Sequence, residues 1–337
     1  MDRKDFISLT VPAFTIIKSI GKNENTHSRH GHQPPYLVQG DTIGITCPSG
    51  FITLEEVQPA IIKLKEWGFN VIVGKTVGLK DFTLAGTDLE RATDTQQMLD
   101  DPQIKAILLG RGGYGAVRMI DLLDFSKFKK HPKWIIGFSD ATVFHSHINS
   151  KFGISSIHSK MCNSFPADVS KAAPEQLLSI ESINSSLRGD KIIYPIVYNS
   201  NNRQGEGTGK LIGGNLSIIQ NMNASTSALK TAGRILFLED VGEYLYSLDR
   251  MMWNLLRSGQ LNNLAGLIIG RFSIKDDLPG EEFGKTIYEI VNEKIKNFRY
   301  PVLFDFPVGH VKENYALKCG VEHRLTITSN SAELIEI

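Results

Sequence analysis

Between Asp41 and Ile148, short apolar runs alternate with stretches of helical period, and no other feature constrains the fold as tightly. The run over 41–46 ends at the turn signal Cys47-Pro48-Ser49-Gly50. Val57, Ile61, Leu64 and Trp67 then recur every three to four residues, and Gly68 stops that helix. Residues 70–73 predict a second strand, 87–99 a polar helix with an acidic start, and 105–109 a third strand. A glycine cluster leads into a helix over 116–123, and a strand over 134–137 precedes a helix over 140–148. Strands separated by helices pair in parallel and are covered on both faces. Ligands of such sheets bind beyond the carboxyl ends of the strands, where the loops after Leu109 and Ile136 fall.

From about 167 to 204 the chain turns Ser/Asn-rich and loses strong periodicity, which predicts an interdomain connection over 171–204. A second α/β unit follows, with strands over 234–238 and 266–269, helices over 248–256 and 282–294, and closing strands over 302–304 and 324–328. The predicted division is a leader over 1–33, an N-terminal domain over 34–170, the connection, and a C-terminal domain over 205–337. A length of 337 residues suits two such cores.

A net charge of +1 leaves no basic face for nucleic acid. No apolar run reaches the roughly 18 residues of a membrane helix. Three cysteines, none in a C-x-x-C pair, make no disulfide framework and fit a reduced, cytoplasmic setting. The leader offers another location. Arg3-Lys4-Asp5-Phe6-Ile7 resembles the start of a twin-arginine signal with Lys in place of the second Arg, which would export the chain to the periplasm.

Two loops could carry chemistry. Gly110-Arg111-Gly112-Gly113-Tyr114-Gly115 matches G-x-G-x-x-G, and Asp140 stands roughly where a ribose-binding acid would, so an NAD(P)-binding oxidoreductase is one reading. The motif follows the third strand instead of the first, however. A glycine cluster there equally serves any backbone N–H groups that approach a ligand, including an oxyanion hole. Gly137-Phe138-Ser139-Asp140-Ala141 nearly matches the G-x-S-x-G turn that exposes a nucleophilic serine. On this segment alone a helix cap by Ser139 or Asp140 is the simpler reading.

A serine nucleophile also needs a base and an orienting acid. Of nine histidines, His27, His30 and His32 lie in the leader, His131 in a loop, and His145 and His147 on different faces of one helix. His158 and His323 lack a motif. His310 ends the apolar stretch that begins at Val302, at a strand-to-loop junction. Glu239 closes the apolar strand 234–238, where a carboxylate is costly to bury unless paired. Asp240, Glu243 and Asp249 follow, and spacing alone does not choose among them.

Taken together, Gly40-Asp41-Thr42-Ile43-Gly44, Pro48-Ser49-Gly50, Arg111-Gly112-Gly113-Tyr114-Gly115, Gly137-Phe138-Ser139-Asp140, Gly213-Gly214-Asn215-Leu216, Leu238-Glu239-Asp240-Val241 and Gly309-His310 resemble the LD-carboxypeptidase family of serine peptidases. That family includes murein tetrapeptide carboxypeptidases and microcin C immunity proteins. The resemblance implies a flavodoxin-like N-terminal domain and a smaller C-terminal α/β domain, with the site at their cleft. It implies Ser139 as nucleophile, His310 as base and Glu239 as acid, with Glu243 the fallback. It further implies an oxyanion hole from the N–H groups of Asp140 and Gly112 or Gly113, and substrate contacts from Arg111 and Tyr114. No metal or organic cofactor, a murein peptide substrate and a homodimer complete the expectation. The Arg-Gly-Gly-Tyr-Gly form is closer to the murein-recycling branch than to the microcin amidases. Two features depart from the family: a longer leader, and Lys318-Cys319 where apolar residues and a proline are expected.

Overall fold

The computed structural model describes residues 33–337, so the twin-arginine-like start and the histidines of the leader lie outside the described residues. The first half runs β1 (Thr42–Thr46), α1 (Leu54–Glu66), β2 (Asn70–Val73), α2 (Asp88–Asp100), β3 (Ile104–Leu109), α3 (Ala116–Met119), α4 (Ser126–Lys130), β4 (Trp134–Gly137), α5 (Thr142–Phe152), β5 (Ser156–His158) and α6 (Pro174–Arg188). The second half runs β6 (Gly205–Asn215), α7 (Leu216–Asn221), β7 (Ile235–Glu243), α8 (Leu245–Arg257), β8 (Gly266–Ile274), α9 (Ile287–Ile295), β9 (Val302–Leu303), β10 (Leu317–Cys319), β11 (Glu322–Ile327) and β12 (Ala332–Glu336).

Local chemistry sets the helix starts. Thr53 with Glu56, and Thr87 with Glu90, form reciprocal capping boxes at α1 and α2. Gly68 terminates α1 at φ +87°, a conformation that suits a residue without Cβ.

The first sheet has the order β10-β5-β4-β3-β1-β2, and β1 to β5 are mutually parallel in the flavodoxin-like arrangement. Ile43, Ile45 and Trp134 pack under α1 and α6, while Ile107 and Leu109 pack with Phe128 and Phe144 on the other face. The second sheet has the order β12-β11-β6-β7-β8-β9, with β6 to β9 parallel and β11 and β12 antiparallel. Along β7, Leu236 and Leu238 join one cluster and Ile235 and Phe237 another, so this strand too is buried on both faces.

The structure adds α4, β5 and β12 to the expected elements, and two further elements differ from expectation. The stretch predicted as a connection holds the fifteen-residue helix α6. Its Ser179, Ser182 and Ser186 face inward beside Ile183 and Leu187, so polar residue types conceal a buried face. Two of those hydroxyls bond back to backbone carbonyls of their own helix. Strand β10, from the C-terminal half, pairs antiparallel with β5 and completes the first sheet. It carries Lys318, which lies buried on the Tyr36 ring and bonds Glu336 at 2.8 Å. The unexpected lysine thereby ties Tyr36 and β12 to β10.

Candidate active site

Strand β4 ends at Gly137, and the chain turns sharply into a short 3-10 turn (Ser139–Ala141) and then α5. Ser139 is half-buried at φ +60°, a left-handed conformation that is strained for a residue bearing Cβ. A side chain at Gly137 would stand 3.0 Å from Ala141 Cβ, so small residues before and after the serine close this turn. Beneath it, the Nε2–H of His145 donates to Gly137 O at 2.9 Å and its Nδ1 accepts from Ser156 Oγ at 2.8 Å.

Burial pulls the His145 ring down to about 4 from its ordinary 6.5. A folded value below the unfolded one gives stability that is complete above pH 6.5 and is lost as the pH falls towards 4. From pH 7 to pH 5 this histidine alone should remove about 2 kcal/mol. Urea unfolding at the two pH values checks it, and an unchanged midpoint would refute it.

The glycine loop after β3 comes against the serine. A Cβ on Gly112 would lie 3.0 Å from Ser139 Cβ and 3.1 Å from its Oγ, so only glycine lets the loop backbone approach this serine. Gly112 O accepts from Gly50 N–H at 3.0 Å. Gly113 and Gly115 adopt φ +105° and +137°. Arg91, fully buried, donates Nη1 to the carbonyls of Pro48 and Gly115 and pairs with Asp88, so one guanidinium spans both loops. Asp140 is buried, and its Oδ2 accepts from Ser49 Oγ at 2.5 Å and Ala116 N–H at 2.8 Å. That carboxylate therefore anchors the glycine loop. Arg111 is exposed with Nη1 3.2 Å from Phe51 O, and Tyr114 beside it is 57% exposed.

Glu239 and His310 come from the second half of the chain. Glu239, on β7, is fully buried, and its Oε2 accepts from His310 Nδ1–H at 2.7 Å. Its Oε1 has no hydrogen-bond partner among the described residues. Side chains at Gly270 or Gly309 would each come within 3.3 Å of Glu239 Cβ, so two glycines make room for the pair. Glu243 lies further along the strand, part-exposed, and does not pair with His310.

The His310 ring packs against Phe138, the residue before the serine, at 4.8 Å between centroids. Among the described residues no hydrogen bond joins Ser139 Oγ to His310, so His310 is paired with Glu239 while its ring lies against the residue before Ser139. Such contacts often tighten only with substrate bound. No group of three histidine, cysteine or carboxylate side chains placed to hold a metal occurs among the described residues.

Several supports escaped the sequence reading. A side chain on Gly214 would strike Thr142 Oγ1 at 2.5 Å, and Asn215 N–H donates to that hydroxyl at 3.1 Å, which joins β6 to the helix behind Ser139. Asp240 accepts from Asn215 Nδ2, Ser217 N–H and Val241 N–H, and burial pushes its carboxyl up to about 6. The segment Gly213-Gly214-Asn215 was visible in sequence, but only the sheet-to-helix contact reveals its task.

Residues 43–159 match the LD-carboxypeptidase N-terminal domain and residues 208–325 the LD-carboxypeptidase C-terminal domain. The chain is 30% identical to the murein tetrapeptide carboxypeptidase of Pseudomonas aeruginosa over 82% of its own length and 91% of that protein. It is 26% identical to the microcin C7 self-immunity protein MccF of Escherichia coli over 89% and 94% of the two chains. The crystal structure of muramoyltetrapeptide carboxypeptidase from Oxalobacter formigenes superposes with a TM-score of 0.77 at 27% identity, covering 88% of this chain and 98% of that one.

Proposed function

The chain belongs to the LD-carboxypeptidase family of serine peptidases, and from that membership we propose that it releases terminal D-alanine from murein tetrapeptides. The bond cut is the amide between that residue and the L-configured centre of a diamino acid. The observation that carries the reading is the buried Glu239–His310 pair, whose imidazole lies against Phe138 beside the strained Ser139 turn.

With Nδ1–H committed to Glu239, His310 keeps Nε2 free to accept the Ser139 proton. Ser139 Oγ attacks the scissile carbonyl carbon, and the oxyanion settles on the N–H groups of Asp140 and Gly112 or Gly113. Imidazolium then protonates the leaving amine, D-alanine departs, and water attacks the acyl-serine with His310 again as base. Arg111, exposed at the rim, suits bidentate capture of the terminal carboxylate, with Tyr114 alongside. The same reading carries a homodimer and no need of a metal or organic cofactor.

The test is D-alanine release from a tetrapeptide bearing L,D-linked diaminopimelate or lysine, run beside a peptidyl-nucleotide amide. Release from the tetrapeptide supports the proposal. Cleavage of the nucleotide amide alone would place the chain with the microcin-immunity relatives, and no cleavage of either would refute both.

A further inference from the structure

We propose that Lys160 is a positioning residue that holds the His310 turn against the nucleophile, acting through the Val311 carbonyl. The inference rests on His310 being the base. Lys160 lies two residues past β5, at the carboxyl end of the sheet that carries Ser139. Its Nζ donates to Val311 O at 2.5 Å, on the residue directly after His310. The residue directly before is held within its own turn: Gly309 N–H donates to Asn314 Oδ1 at 3.1 Å, and that oxygen lies 3.3 Å from Nε2 of His158 on β5. The His310 turn is thus held directly by Lys160 on one flank and, through Asn314, by His158 of β5 on the other. Lys160 Nζ also stands 6.0 Å from the centroid of the Phe138 ring, whose own centroid lies 4.8 Å from that of His310.

The residue type points the same way. Lys160 is 7% exposed, and no carboxylate pairs with it among the described residues. Burial pulls its ammonium down to about 8, the sign of a cation held at a cost. An apolar chain of similar length would suit the place better for stability alone. Holding a catalytic loop explains the cost, because a small displacement of a base is expensive in rate.

Lys160→Met and Lys160→Arg are compared with wild type, beside His310→Ala, in tetrapeptide turnover and thermal unfolding. The expected result for Lys160→Met is a kcat reduced about 10- to 100-fold, with KM and Tm essentially unchanged. Lys160→Arg, which keeps a cationic donor, should recover most of kcat. An unchanged kcat in Lys160→Met, a change confined to KM, or a loss that follows a fall in Tm would overturn the proposal. If His310→Ala is inactive while Lys160→Met is normal, only this inference fails. If His310→Ala turns over normally, the assignment of the base fails and takes this inference with it.

Discussion

Replacement of Ser139 by alanine is expected to abolish tetrapeptide turnover while leaving the fold intact. The change removes one oxygen from a half-buried side chain at the head of α5 and alters no packing in the sheet. Alanine is no better suited than serine to φ +60°, so the strain of the turn is retained. What is lost is the atom proposed to form the acyl intermediate. Loss of such a nucleophile typically reduces kcat by about 10^4-fold or more, with a remainder due to binding and oxyanion donors. D-alanine release by Ser139→Ala, with its circular dichroism and Tm, checks this. Full turnover would remove Ser139 from the reaction.

The second large effect concerns Glu239→Gln. The side chain is fully buried and, among the described residues, takes a single side-chain hydrogen bond, from His310 Nδ1–H. A carboxylate can only accept, and so it fixes the tautomer with Nε2 open for the serine proton. An amide can present its NH2 group instead, which favours the opposite tautomer with Nε2 protonated and unable to act as base. The comparable change in a Ser-His-Asp triad costs about 10^4-fold, and a loss of about 10^3- to 10^4-fold in kcat is expected here. Stability should not fall, because an isosteric neutral side chain replaces a buried charge. Steady-state kinetics on folded Glu239→Gln provide the check. Near-normal kcat would mean that Glu239 does not orient the base.

The first half of the fold could be read from sequence because its signals are local. Strand, turn and helix recur between Asp41 and Ile148, and each strand there is an apolar run between recognisable caps. Helix α6 was obscured for a physical reason, since Ser179, Ser182 and Ser186 satisfy their hydroxyls internally or face the core in a pattern that reads as polar linker. Strand β10 has only three residues, and its partner β5 lies about 160 positions earlier. Nothing in so short a segment announces that pairing.

The site divides in the same way. Glycines that let backbones approach leave motifs in the chain, as does Glu239, which the apolar run places at a strand end although β7 continues past it to Glu243. Spacing alone leaves Glu239 and Glu243 open because both follow the same apolar run; the resemblance favours Glu239, and the structure pairs Glu239 with His310. Lys160 left no motif because its bond reaches Val311 O, 151 positions away, and Asn314 left none because its bond to Gly309 lies within an irregular turn.

The central claim, an acyl intermediate on Ser139, is most directly tested by acid-quenching the enzyme during turnover of a murein tetrapeptide and mapping the modified residue by mass spectrometry. The expected result is the tripeptide acyl group on the fragment containing Ser139 in wild type, and no adduct in Ser139→Ala. An adduct on another residue, or tripeptide formed equally well by Ser139→Ala, would contradict the account.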